Sequence, residues 1–206
     1  MDEKAVAATC MNIEGWLSEN EGLLLFNLAK GCSGAGVIVE IGSWRGRSTA
    51  FLAYGSLLGR KGKVYAVDPQ TGTLDLDVYD TNFHSLEAFV HNIRNVGAMN
   101  VVVPVVKKSW EAAAEFRYPI ELLFIDGSHD YDDLAKDFDD WTKSLIKGGV
   151  VAIHDSQKPT NPESEKFGAI CIDGPHNFVE NFLKIDKRKE YEFIGIADSI
   201  TYFRKA

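Results

Sequence analysis

The chain has 206 residues, 45% hydrophobic and 25% charged, enough for one domain with a full core and too apolar to stay disordered. A net charge of −8 argues against a broad nucleic-acid or anionic-membrane surface, which needs a basic patch. Cys10, Cys32 and Cys171 are too scattered for a zinc motif or a disulfide framework. The expectation is a cytoplasmic protein with reduced thiols, no signal peptide and no bilayer-spanning run.

Asn12–Lys30 is expected to be the first helix, with Gly31 ending it. It either covers the sheet, lines a substrate mouth, or pairs with a second subunit in a homodimer. Val37–Gly42 reads as a strand buried on both faces, as in a parallel sheet. Gly42 to Gly46 form a turn, and helix Ser48–Leu58 follows. Lys63–Pro69 is the second strand and ends at Asp68. A polar loop, Gln70–Asn82, leads to a helix over Phe83–Val96, where Leu86, Phe89, Val90 and Ile93 share a face.

Val101–Lys107 is the third strand, and Pro104 inside it predicts a sheet edge, because proline lacks the N–H donor. Ser109 is expected to cap a short helix, Trp110–Phe116. Glu121–Asp126 is the fourth strand, Tyr131–Ile146 a helix broken by Gly148 and Gly149, and Val150–Asp155 the fifth strand. Gln157–Pro175 is a long loop, His176–Ile185 the last helix, and Glu192–Ala197 with Ser199–Phe203 an antiparallel hairpin. Trp16 and Trp141 read as core. Alternating strands and helices that end in a hairpin predict a three-layer α/β sandwich with one reversed strand.

Ligands in such sheets bind at the carboxyl ends of the strands. Those ends carry Glu40 with the glycine turn, Asp68, Ser109 with Trp110, Asp126 with His129, and His154 with Asp155. Gly42 and Gly46 open a helix N-terminus where backbone N–H groups can meet a ligand. Ser43 stands where a dinucleotide fingerprint has glycine, and Trp44 would crowd a pyrophosphate, so the turn suits an amino-acid carboxylate. Ser48 adds a hydroxyl, and Glu40 can accept from an ammonium group. Asp68 can hold both ribose hydroxyls, or it simply caps the loop before Pro69. Together these say only that a nucleoside cofactor binds here. Strand alternation sets His154 opposite Asp155, which keeps His154 out of the site.

The glycine turn, Asp68, Ile-Asp-Gly-Ser-His-Asp-Tyr (125–131) and Gly-Gly-Val-Val-Ala-Ile-His-Asp (148–155) resemble class I S-adenosylmethionine-dependent methyltransferases. More narrowly, they are similar to the catechol-type and sugar or macrolide O-methyltransferases. The resemblance implies a Rossmann-like, seven-stranded, mostly parallel sheet with an antiparallel C-terminal hairpin. It implies that Glu40, Gly42, Ser43, Trp44, Gly46 and Ser48 hold the methionine part of the cofactor. Asp68 would hold the ribose, and Ser109 and Trp110 the adenine. Asp126, also beside the cofactor, and Asp155 would bind a divalent metal: magnesium, manganese or calcium. His129 falls where catechol-type members place a lysine base, and Ser156 stands in the place of their asparagine ligand.

The expected activity is O-methyl transfer to a small hydroxylated molecule, a sugar or polyphenol, with Asp126 and His129 catalytic. A second reading is a cofactor-binding scaffold without catalysis, which would have no need of Asp126, His129 and Asp155. An NAD-linked oxidoreductase is disfavoured by the missing Gly-x-Gly-x-x-Gly, and a nucleic-acid methyltransferase by the acidic balance.

Overall fold

The computed structural model describes residues 2–59, 62–71, 85–157, 173–187 and 189–206. Helices α1 (Glu3–Cys10) and α2 (Glu19–Gly31) precede strand β1 (Val37–Ile41) and helix α3 (Arg47–Gly59). Then come β2 (Val64–Val67), α4 (Ser85–Asn95), β3 (Val102–Val105), α5 (Ser109–Glu115), β4 (Ile120–Ile125), α6 (Tyr131–Thr142) and β5 (Leu145–Ile153). Helix α7 (Asp173–Asn177) runs on as a wider π-type turn over Phe178–Asp186, before β6 (Tyr191–Ala197) and β7 (Ile200–Lys205). Among the described residues, no helix is long and apolar enough to cross a membrane.

Among the described residues, seven strands form one sheet in the order β3-β2-β1-β4-β5-β7-β6. β1 to β5 are parallel, and β7 runs antiparallel to both β5 and β6. Pro104 does lie on an edge strand. Strand order reverses between β1 and β4, the place where ligands meet such sheets.

Alternation along the strands sorts the core into two layers. Ile38, Val64, Ala66, Leu122, Phe124 and Ala152 pack under α1 to α4. Val39, Ile41, Val67, Leu123, Ile125, Val151 and Ile153 pack under α5, α6 and the π-type turn. Glu40 and the residues two beyond Ala66, Phe124 and Ala152, namely Asp68, Asp126 and His154, share the parity of the first layer. That parity decides the site.

Several boundaries differ from the sequence reading. Residues 12–18 are not helical. α2 begins at Glu19 because Ser18 and Glu21 form a reciprocal capping box, with Ser18 N–H donating to Glu21 at 2.8 Å and Glu21 N–H to Ser18 Oγ at 3.1 Å. The segment before it is pinned by the Arg47 guanidinium, which donates to the carbonyls of Ile13 at 2.6 Å and Leu17 at 2.9 Å. Trp16, expected in the core, is 57% exposed and stacks on Trp44, whereas Trp141 is buried as expected.

α5 starts at Ser109 itself, with Lys108 in the cap position. α6 stops at Thr142, and β5 starts before Gly148 and Gly149 instead of after them. The glycine pair is absorbed where the β4–β5 register slips between Ile120 and Leu122. Helix α7 begins at Asp173, inside the stretch read as a loop. Most of the expected loops, 72–82 and 158–172, together with Phe83, His84 and Cys171, lies outside the described residues.

Candidate active site

At the end of β1 the chain turns through Gly42 and Gly46, with φ of +84° and +89°. A Cβ on Gly42 would stand 1.9 Å from the carbonyl oxygen of Asp126. The protein's own packing therefore demands glycine here, and it presses the glycine turn against the end of β4. Trp44 takes φ +39°, which is uncommon for a bulky residue. Its ring is held against Trp16 at 4.4 Å.

Asp68 binds this turn directly. Its Oδ2 accepts from the backbone N–H groups of Ser43 at 3.0 Å and Trp44 at 2.8 Å, and its Oδ1 from Gln70 N–H at 2.6 Å. The loop-capping geometry is thus present: Oδ2 is taken up by two N–H groups, and Oδ1 retains a further lone pair for a ligand. Gln70 reaches back to Ser43 Oγ at 3.3 Å.

Glu40 is fully buried, and its Oε2 accepts from the Thr49 hydroxyl. Its Oε1 has no hydrogen-bond partner among the described residues. Burial pushes the carboxyl up to about 8, against the hydroxyls of Ser48 and Thr49, and the nearby charges of Asp126 and Asp68 add to the rise.

Asp126, His129, His154 and Asp155 come together. In the β4–β5 register Ile125 faces Ile153, so the next pair is Asp126 beside His154. His154 Nδ1 lies 3.0 Å from Asp126 Oδ1 and 3.0 Å from Asp155 Oδ2. His154 is therefore in the site, and the expectation that alternation removes it is corrected. Asp155 has φ +51°, a left-handed kink that ends the alternation and turns its side chain toward the same side. His129 Nε2 is 2.9 Å from the same Asp155 Oδ2.

The charges follow from this packing. Burial pushes Asp126 up despite the attraction of His154. Burial acts against charging His154, yet Asp126 and Asp155 hold it well above the usual imidazole range. Burial would likewise raise Asp155, but His154 and His129 outweigh it and hold it low. The hydrogen bond to Asp155 raises His129.

Sequence reasoning also missed Glu21. It is buried on α2, with Oε2 3.5 Å from His154 Nε2 and Oε1 accepting from Ser199 N–H at 2.9 Å and Ser199 Oγ at 2.6 Å. The His-Asp pair at the end of β5 was the available signal for His154. Glu21 lies 133 positions before it and gave none.

Three expected residues point elsewhere. Ser156 is fully buried: its hydroxyl donates toward Ser199 O at 2.8 Å, lies 2.7 Å from Thr201 Oγ1, and accepts from Thr201 N–H at 3.0 Å. It ties β5 to β7, and His154 takes the place beside the two aspartates that Ser156 was expected to fill. Ser109 Oγ accepts from Trp141 Nε1 at 2.8 Å, in the seam between α5 and α6. Trp110 is exposed beside Lys136, Asp140 and Lys143 of α6.

A family profile described as a methyltransferase domain matches residues 39–156, from β1 through the His-Asp pair. The chain belongs to that methyltransferase family. With this match, the class I S-adenosylmethionine-dependent assignment stands, and so does the seven-stranded Rossmann-like fold.

Solved structures share the methyltransferase's architecture at low identity. The O-methyltransferase TomG from Streptomyces achromogenes, solved with SAM, is 18% identical with a TM-score of 0.64, the match covering 99% of this chain and 89% of that one. An O-methyltransferase from Bacillus cereus, solved with SAH, is 18% identical with a TM-score of 0.62, covering 98% and 90%. Cofactor-bound Rv0187 from MTB is 16% identical with a TM-score of 0.66, covering 98% and 87%.

Proposed function

We propose that this methyltransferase transfers a methyl group to a hydroxyl oxygen of a small molecule, a sugar or polyphenol, assisted by a divalent cation at Asp126 and Asp155. The observation that carries this is the contact of His129 Nε2 with Asp155 at 2.9 Å, on a rim that Gly42 locks to Asp126. A base and two carboxylates stand beside the cofactor turn. The two solved O-methyltransferases of the same fold support the reading.

When bound, S-adenosylmethionine supplies an electrophilic methyl on a positive sulfonium. The residues present fit it: Glu40 has a buried oxygen without a hydrogen-bond partner among the described residues, and the rim chemistry is acidic. Glu40, Gly42, Ser43, Trp44, Gly46 and Ser48 would hold the methionine part, and Asp68 the ribose. Orienting the acceptor hydroxyl in line with the methyl can supply about 7–11 kcal/mol. An Nε2–H donated to Asp155 leaves Nδ1 of His129 as the basic nitrogen, which takes the hydroxyl proton while Asp155 stabilises the imidazolium. The two aspartates suit a hard or borderline cation, which lowers the pKa of a bound hydroxyl.

Calorimetry with S-adenosylmethionine and transfer of a labelled methyl to a panel of hydroxylated molecules test this. Binding is expected, with turnover lost in excess chelator and in Asp155→Ala while cofactor affinity stays nearly intact. Absence of binding at millimolar cofactor overturns the cofactor assignment, and full turnover in chelator overturns the metal clause.

A further inference from the structure

We propose that His154 is the third ligand of the cation site and that Glu21 positions it. The site would then take manganese, cobalt or zinc in preference to magnesium or calcium. The inference rests on the metal-assisted reading above and deepens it.

The carboxylates alone would not distinguish a metal site from an acidic cluster. The second observation is His154 itself. It is 6% exposed, and its two ring nitrogens have no aligned hydrogen-bond partner among the described residues. Nδ1 nevertheless faces both aspartates at 3.0 Å. The same carboxylates stand at ion-pair distance and hold the ring charged when no metal is present, so an incoming cation would displace a ring proton to take its place among them.

A separation of 3.0 Å suits an ion pair, and it is also the spacing of adjacent ligands around one ion at bonds of about 2.1 Å in octahedral geometry. One donor atom each from Asp126, His154 and Asp155 falls within a 4.8 Å cluster. Ser156, the residue that would otherwise add an oxygen, spends its hydroxyl on Ser199 and Thr201.

Behind the ring, Nε2 meets Glu21 Oε2 at 3.5 Å. Glu21 is itself fixed by Ser18 at the start of α2 and by Ser199 at the β6–β7 turn. A carboxylate behind an imidazole sets which nitrogen points at the ion, and removing such a partner typically weakens binding by about 10–100-fold. Imidazole nitrogen suits first-row transition ions, whereas magnesium and calcium prefer all-oxygen shells.

The test is manganese binding to the full chain, read by titration and by electron spin-echo modulation from coordinated imidazole nitrogen. Nitrogen modulation is expected in the native protein and in His129→Gln, and its loss in His154→Gln. Glu21→Gln should weaken manganese roughly 10–100-fold with the cofactor affinity unchanged. Magnesium should compete poorly. Modulation that is absent from the native protein, or that disappears with His129→Gln, overturns the proposal. So does equal affinity for magnesium and manganese, or a failure to bind manganese, which would leave an imidazolium as the cation between the aspartates. If cofactor binding and chelator-sensitive turnover persist through such a result, only the ligand assignment falls and the function above stands.

Discussion

His129 Nε2 lies 2.9 Å from Asp155 Oδ2, joining the loop after β4 to the kink after β5. The bond raises the basicity of His129. In the metal-free protein the imidazole should therefore titrate above its ordinary value of about 6.5, read by NMR of its ring protons. Asp155→Asn should move that titration downward. His129→Gln should lower kcat by about 10²- to 10⁴-fold, with cofactor affinity by calorimetry nearly unchanged.

Gly42→Ala should harm both stability and the site. The residue has φ +84°, and its new Cβ would overlap the Asp126 carbonyl. The conformation alone costs about 1–2 kcal/mol, and the collision adds to it by pushing β1 and β4 apart. Denaturant unfolding should show a loss at or above that figure, and calorimetry a weakened cofactor.

Glu40 gives a pH signature. Its folded-state value, about 8, is raised above the ordinary carboxylate value, chiefly by burial. The stability it confers is complete below the ordinary value and is lost as pH rises toward 8. Glu40→Gln does not titrate, so the melting temperature of the cofactor-free native protein should fall relative to the variant between pH 5 and 8. An ammonium placed beside Glu40 would favour its ionised form. Cofactor binding near pH 7 should then release roughly one proton, read from the buffer dependence of the calorimetric heat. Glu40→Gln should abolish that release.

Gly22→Ala tests the seam between α2 and α3. Alanine favours a helix by about 1 kcal/mol. Its Cβ, however, would stand 2.3 Å from the ring of Phe51, which is fully buried. Overpacking costs about 1–3 kcal/mol, so a net loss of roughly 1 kcal/mol is expected on chemical unfolding. A gain would show that Phe51 can move.

The order of strands and helices, the edge position of Pro104 and the reversed last strand were legible because each has a local cause: β-branched runs, glycine stops, a missing N–H. The helix start at Glu19 was legible in principle, since Ser18 and Glu21 stand at capping-box spacing. The exposure of Trp16 was not, because it depends on Arg47 holding residues 12–18 against α3.

The sequence by itself determined the sheet, the glycine turn and the carboxylates that end β1, β2, β4 and β5, because alternation and turn chemistry act over a few residues. Tertiary structure alone decided that His154 faces Asp126 and Asp155. Sheet register sets Asp126 next to His154, and a left-handed residue at Asp155 breaks the alternation that would have separated the pair. It also decided that Glu21 stands behind that histidine, because packing α2 on the sheet brings together groups far apart along the chain.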